Sequence, residues 1–350
     1  VAGAGSGKTR VLTYKIAYLI NNGYKPYQIL ALTFTKKAAT EMKERIAKVV
    51  GEKAARDIWM GTFHSIFARI LRAEADKIGL NSDFTIYDTK DSENLIKAII
   101  REKRLDEKIY KSKKIHQRIS SMKNDLITPK IYRDISEFHL QDQREHWLAF
   151  ADIYQAYCNR LYKANAMDFD DILLFTNILF RDSKEALFKY QNRFRFVLVD
   201  EYQDTNSAQH RIVKRLCSSH GKLCVVGDDA QSIYSFRGAD ISNILQFRNE
   251  FQNAKIFRLE QNYRSTQNIV KVADSLIRHN RNQIEKNVFS TNEVGEKTRI
   301  VSAYSDQDES RIISNDIAAR LKEGAKYDDF AILYRNNAQS RLFEITLLRD

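Results

Sequence analysis

Hydrophobic positions along the chain fall into short continuous runs separated by longer amphipathic stretches. Residues 28–34 (QILALTF), 196–200 (FVLVD) and 222–228 (KLCVVGD) are largely apolar rather than alternating, and the last two end in acids. Runs of that kind belong to strands covered on both faces, as in a parallel sheet. Residues 36–50 (KKAATEMKERIAKVV) read as the helix that follows the first run. The later runs KIFRL (255–259), TRIVSAY (298–304) and FAILYR (330–335) are each followed by a helical segment and read as further strands. Strands that alternate with helices predict an α/β architecture.

The pattern changes between about residues 92 and 161. No strand is visible there, SENLIKAIIREKRL is helical, and Trp147, Leu148, Phe150, Ile153, Tyr154 and Tyr157 recur at helical spacing. That supply of apolar residues favours an all-helical insertion in the first α/β domain over a long, partly disordered excursion.

Composition narrows the class. The chain has 350 residues, 43% hydrophobic and 29% charged, which is room for two or three soluble domains. No apolar run approaches the roughly 18 residues of a membrane span. The three cysteines, Cys158, Cys217 and Cys224, lack C-x-x-C spacing. They fit the reduced thiols of a cytoplasmic protein better than a disulfide framework or a zinc site. The net charge is +12, and residues 101–133 carry eleven Lys/Arg against four Asp/Glu, a local excess of +7. The excess, which includes Lys111, Lys113 and Lys114, is a patch rather than a uniform coat and points to a polyanionic partner.

Candidate chemistry begins at the first residues. Ala2-Gly3-Ala4-Gly5-Ser6-Gly7-Lys8-Thr9 fits a P-loop, with Ala2 where the strict pattern has glycine. Glycines let backbone N–H groups turn inward around phosphate oxygens, and a helix starting near Lys8 directs its positive end at them. Lys8 can reach the β- and γ-phosphates, and the Thr9 hydroxyl can hold Mg²⁺. Alone, the stretch is also compatible with a flexible Gly-rich turn. A second signal decides between the two. Asp200 and Glu201 close the apolar run FVLVD and continue as EYQDTN. One strand-end carboxylate can hold Mg²⁺ through water while its neighbour polarises an attacking water.

With these residues in place the chain resembles superfamily 1 DNA helicases of the UvrD/Rep/PcrA type. The matching segments are AGAGSGKT, LTFTKKAATEMKERI, GTFHSIFARIL, AMDFDDIL, LVDEYQDTN, VVGDDAQSIYSFRGAD, LEQNYRST and AILYRNNAQSR, in order from end to end. The resemblance implies an α/β fold with a RecA-like P-loop NTPase domain, a helical insertion and the start of a second RecA-like domain. It places domain 1A at residues 1–88 and 166–257, insertion 1B at 89–165 and a partial 2A at 258–350.

The resemblance also implies roles. Ala2 to Arg10 (Ala2, Gly3, Ala4, Gly5, Ser6, Gly7, Lys8, Thr9 and Arg10) and Tyr263, stacked on adenine, would bind ATP. Thr9 and Asp200 would hold Mg²⁺. Glu201 would be the base, Gln231 the γ-phosphate sensor and Arg264 the cation that stabilises transition-state charge. Phe34, Thr62, Phe63, His64, Tyr234, Phe236 and Arg237 would line the track of single-stranded DNA, with aromatic faces stacking on bases. The family often has tryptophan where this chain has Phe236.

The implied activity is an ATP-dependent 3′→5′ DNA helicase acting on single-stranded DNA and single/double-strand junctions. The alternatives are a motor subunit of a recombination helicase–nuclease complex and a DNA-dependent ATPase without unwinding. Relatives carry a strand and an adenine-binding segment before the P-loop and two further motifs beyond LFEITLLRD. The 350 residues are therefore expected to be a fragment, with weak or no activity by themselves.

Overall fold

The computed structural model describes residues 1–349. Its first elements are α1 (Lys8–Asn21), β1 (Ile29–Thr33), α2 (Lys36–Val50), α3 (Glu52–Asp57), β2 (Trp59–Thr62), α4 (Phe63–Ala73) and β3 (Thr85–Tyr87). Helices α5 (Thr89–Glu102), α6 (Ser112–Asn124), α7 (Pro129–Asp134), α8 (Ser136–Glu145) and α9 (Phe150–Lys163) come next. The chain continues through β4 (Ala166–Asp168), α10 (Phe169–Asp182), α11 (Lys184–Arg193), β5 (Phe196–Val199), α12 (Ser207–Cys217) and β6 (Leu223–Val225). After the single-turn α13 (Ser242–Leu245) and α14 (Phe247–Glu250) come β7 (Gln261–Asn262), α15 (Gln267–Ile277), β8 (Phe289–Ser290), α16 (Asp306–Lys322) and α17 (Ser340–Arg349). Contacts divide the chain into two units, the first Val1–Val294 and the second starting at Gly295.

In the first unit the main sheet has the order β2-β1-β5-β6, all parallel. Every residue of β1 is buried, because helices cover both faces of the sheet. Ile29 and Ala31 face a core shared with Leu12 and Ile16 of α1 and Met42 and Ile46 of α2. Leu30 and Leu32 face the opposite core, with Phe67 and Ile70 of α4, Ile172 of α10 and Ile212 of α12. The two-residue alternation of a strand thus builds two cores from one run. A parallel sheet also brings the loops after its strands to one edge, where ligands bind in such folds.

The five-helix segment is an insertion with its own core, which includes Ile96, Tyr132, Phe150, Tyr154 and Tyr157. It leaves and re-enters through β3 and β4, which pair in parallel, Thr85 opposite Ala166 and Tyr87 opposite Asp168. Asp168 is also the N-cap of α10, in a reciprocal capping box with Asp171. Lys123 of α6 ties the insertion to this point, with Nζ 2.7 Å from both Asp168 Oδ2 and Asp171 Oδ1. The Tyr157 hydroxyl donates to Asp168 Oδ2 at 2.8 Å. Burial alone would lower the lysine, but the two carboxylates hold it well above its usual range. Burial likewise pushes Asp171 up, whereas Asp168, paired with Lys123 and Tyr157, is held low.

The second unit pairs α16 with α17, with Phe343 buried and the Thr346 hydroxyl donating to Ser310 Oγ at 3.1 Å. The strands predicted at 298–304 and 330–335 do not form among the described residues, and Ile300, Tyr304 and Leu333 are exposed. A strand is completed by a neighbour that takes its N–H and C=O groups, and neither run has one here. The strand predicted at 255–259 is reduced to a short pairing with the first residues of the chain. Leu259 N–H donates to Val1 O at 2.9 Å, Gly3 N–H donates to Leu259 O at 3.0 Å, and Ala2 and Leu259 form a parallel bridge. No helix among the described residues is long and apolar enough to cross a membrane.

The Lys123 contact gives a direct test of how the insertion is held. Removing one partner of a buried pair leaves uncompensated charge and costs about 3–5 kcal/mol. Lys123→Met is expected to lower stability by that amount in denaturant unfolding. The double variant Lys123→Met, Asp171→Asn is expected to recover part of the loss.

Candidate active site

The loop before α1 is shaped by its glycines. Gly5 and Gly7 have φ of 67° and 86°, left-handed values that glycine adopts without strain. A Cβ on Gly5 would lie 2.8 Å from Asn262 Nδ2 and 2.9 Å from Arg264 Cβ. The second glycine of the loop is therefore needed for close approach as well as for its turn. The Ser6 hydroxyl closes the loop by donating to Gly3 O at 2.7 Å. Lys8 opens α1 with its side chain largely buried, and Thr9 follows in the first turn.

Across from Lys8 stands the loop after β5. Glu201 has φ 49° and ψ 48°, a left-handed conformation that is unfavourable for a residue with a Cβ. Backbone strain of this kind concentrates at functional positions. It turns Glu201 so that its Oε2 is 3.5 Å from Lys8 Nζ. Gln203 Nε2 donates to the same oxygen at 3.0 Å, and Gln203 Oε1 accepts from Asp228 N–H at 3.0 Å. Asp228 Oδ2 in turn accepts from Gln231 Nε2 at 2.6 Å. The lysine, the carboxylate and the amide picked out by sequence are thus joined through Gln203 and Asp228, which sequence reasoning did not single out.

Arg264 enters the same cleft from the turn after β7. Asn262 holds this turn against the loop: its Nδ2 donates to Ala4 O at 2.8 Å, and its Oδ1 accepts from Arg264 and Ser265 N–H at 2.8 Å each. The cleft, about 220 Å³, is lined by Gly5, Ser6, Gly7, Lys8, Thr9, Arg10, Arg45, Glu201, Gln231 and Arg264. Arg45 of α2 was also missed, since a basic residue between Met42 and Ile46 reads as an ordinary solvated position.

The cleft lining does not include Ala2, Gly3, Ala4 or Tyr263. Ala2 belongs to the core beside α1 and donates its N–H to Gly227 O at 3.0 Å. Gly3 is buried as well, and Ala4 is engaged through its carbonyl by Asn262. These residues anchor the loop rather than line the cleft. Tyr263 does not line it either, but its backbone N–H donates to Gly5 O at 3.0 Å and its ring is exposed beside it.

The donor set suits Mg²⁺ held jointly with phosphate. Asp200 is buried, and burial followed by the Glu201 charge pushes its carboxyl up to about 6. Asp204 is raised to about 6 for the same two reasons. A desolvated acidic cluster of this kind gains from a nearby cation. No cluster of three or more His, Cys, Asp or Glu suited to a metal exists among the described residues. Asp200 and the Thr9 hydroxyl would offer a hard ion one carboxylate and one hydroxyl, with water and phosphate oxygens completing its shell.

Beyond Gln231 the same loop carries an aromatic surface. Tyr234 lies 5.4 Å from Phe34 and 6.0 Å from Phe236 between ring centroids. The Arg237 guanidinium sits 5.6 Å from the Tyr234 centroid and 5.5 Å from that of Phe236. Phe236 is 76% exposed, which excludes ordinary core packing for that ring. Phe63, by contrast, is buried in the core against Phe67 and presents no face to a base. Thr62 is the N-cap of α4 and accepts from Ser65 N–H at 3.2 Å. His64 stacks on Phe169 at 3.7 Å, and burial pushes its imidazole down to about 4. Phe169, half exposed, was not predicted: its spacing from Ile172 and Leu173 points to burial.

Comparison with known proteins shows the family. Residues 1–252 match the family described as UvrD/REP helicase N-terminal domain, and residues 257–350 match UvrD-like helicase C-terminal domain. The chain belongs to the UvrD/Rep helicase family. Its α/β unit is accordingly RecA-like. This UvrD/Rep-family chain is 45% identical over 352 aligned residues to the ATP-dependent DNA helicase PcrA of Staphylococcus epidermidis, covering 100% of this chain and 47% of that protein. The figures are the same for the ATP-dependent DNA helicase PcrA of Staphylococcus aureus. The chain thus spans about half the length of the curated relatives it matches.

Lys8 supplies the one lysine charge in the cleft lining. Lys8→Ala in the full chain is expected to lower ATP turnover by on the order of 10³-fold, the scale of losing one charge stabiliser. Its melting temperature should stay near that of the parent, so ATPase and melting curves are measured together.

Proposed function

We propose that the chain is the nucleotide-hydrolysing and strand-gripping part of an ATP-dependent 3′→5′ DNA helicase. The observation that carries this reading is the loop 228–237. Its start reaches the cleft of Lys8 and Glu201 through Gln231, held by Asp228, and its end carries the half-buried Tyr234 and the exposed Phe236 and Arg237. One short connection therefore links the nucleotide to the surface suited to stacked bases.

In this reading Thr9 and Asp200 would hold Mg²⁺ beside the phosphates, where the ion would supply neutralisation of their charge. Lys8 leaves Glu201 for the β- and γ-phosphates. Glu201, freed of its cation, accepts the proton of the attacking water. Gln231 donates one hydrogen bond to the γ-phosphate and loses it after hydrolysis, while Arg264 stabilises the charge that builds up. Tyr263 lies against the adenine. The loss at Gln231 passes along the loop to the aromatic faces and changes their grip on the strand.

The DNA partner is single-stranded DNA and its junctions with duplex. The exposed part of the basic excess at residues 101–133, such as Lys111, Lys113 and Lys114 on the helical insertion, suits the phosphates of the duplex arm. The 1A, 1B and 2A assignments at 1–88 with 166–257, 89–165 and 258–350 follow the family pattern. The directionality and the cytoplasmic location follow it too. His64 is neutral at neutral pH, so it contributes a stacked face with Phe169 rather than a charge.

The test is Tyr234→Ala combined with Phe236→Ala. Base–aromatic stacking is worth about 1–3 kcal/mol per base. Affinity for oligo-dT is therefore expected to fall at least about tenfold by fluorescence anisotropy, with the melting temperature unchanged. Unchanged affinity with a collapsed melting temperature would assign both rings to packing.

A further inference from the structure

Lys286 lies between α15 and β8, far in sequence from the P-loop and outside every motif used above. Its Nζ is 2.8 Å from Asp228 Oδ1 and 2.5 Å from Asp229 Oδ1, and all three side chains are at most 6% exposed. Asp229 Oδ2 accepts from Ile284 N–H at 3.0 Å, so the segment is fastened at two points. Burial alone would lower the lysine, but the two carboxylates outweigh it and hold it charged above its usual range. A buried ammonium shared by adjacent carboxylates is a fixed hub, since neither acid can turn away without leaving charge unpaired.

What the hub fixes is the catalytic amide. Asp228 grips Lys286 with one oxygen and Gln231 Nε2 with the other, at 2.6 Å. Its N–H donates to Gln203, which donates to Glu201. A glutamine side chain has three rotatable bonds, and an amide that must meet a γ-phosphate at hydrogen-bond distance needs a partner to hold it.

We propose that Lys286 is a positioning residue for hydrolysis: by pinning Asp228 it sets the Gln231 amide for the γ-phosphate. The proposal rests on the reading of Gln231 as the residue that meets that phosphate. It also gives the segment carrying Arg264 a latch onto the sensor loop, so the two γ-phosphate contacts are set together.

The experiment compares Lys286→Met, Lys286→Arg, Gln231→Ala and the double variant Lys286→Met, Gln231→Ala in the full chain. It reads kcat, KM for ATP, ADP affinity and melting temperature. Loss of an orienting partner costs about 10–100-fold at metal sites, and a fall of about tenfold in kcat is expected for Lys286→Met. ADP affinity should be unchanged, since ADP has no γ-phosphate. Lys286→Arg should recover much of the rate. The double variant should be no slower than Gln231→Ala, because both act through one amide. If Lys286→Met fails to fold, Lys286→Met with Asp229→Asn removes one cation and one anion together and should show the same kcat loss. Wild-type kcat in the lysine variant beside a slow Gln231→Ala overturns the proposal alone, as do losses that multiply in the double variant. A Gln231→Ala variant with full turnover overturns the reading of Gln231 and the proposal with it.

Discussion

The site turns on one contact between opposite charges: Lys8 Nζ, 3.5 Å from Glu201 Oε2. The two groups come from loops almost two hundred residues apart: Glu201 follows β5 of the parallel sheet, and the Lys8 loop is fastened just past β6 by Ala2 N–H donating to Gly227 O. Asp200 and Asp204 crowd behind Glu201 in a desolvated cluster, and Lys8 is the lysine that faces it. In the proposed reading, phosphate would take the lysine and a metal ion the acids of this desolvated cluster. The left-handed backbone of Glu201 is a conformational cost accepted at this edge and offset by the two cores beneath it.

From that contact a chain of hydrogen bonds runs outward. Glu201 is held by Gln203, Gln203 holds the Asp228 backbone, and Asp228 holds Gln231 and Lys286. The links at Glu201, Gln231 and Lys286 each involve a charged group, the stronger class of hydrogen bond, while the Asp228 N–H to Gln203 Oε1 link is neutral and buried. A ligand that draws Lys8 away from Glu201 alters the first link, and the last links lie within a few residues of Tyr234 and Phe236. The helical insertion is anchored separately, through Lys123 at the capping box of α10, and Asn124 of the same helix accepts from Asn206 Nδ2 at 2.6 Å. The insertion is therefore fastened close to the Glu201 loop and not only at its neck.

Much of this was legible in the sequence. The run ILALT is buried at every position, the helix at 36–50 has the limits its pattern predicts, and the insertion core contains the predicted Phe150, Tyr154 and Tyr157. Local pattern sufficed there because burial on both faces, helical period and core aromatics are local properties. Pattern failed where a residue's fate depends on a distant partner. The apolar runs at 298–304 and 330–335 have strand composition but no neighbouring strand, and the motif residue Phe63 points into the core while its neighbour His64 meets Phe169. Gln203, Asn262 and Arg45 lie inside quoted motifs but their contacts are not readable from them, and Lys286 lies outside every motif, because its carboxylate partners are brought to it by the fold.

The central claim is that Glu201 restrains Lys8 until nucleotide arrives and then acts as the base. The most direct measurement is ATP affinity and single-turnover hydrolysis on Glu201→Gln and parent protein side by side. Removing the carboxylate charge relieves repulsion of phosphate and frees Lys8, so ATP should bind at least as tightly as to the parent. Hydrolysis should fall by about 10²–10⁴-fold, the usual contribution of a general base. A variant that hydrolyses ATP within a few-fold of the parent, or that loses ATP binding along with turnover, would contradict the account.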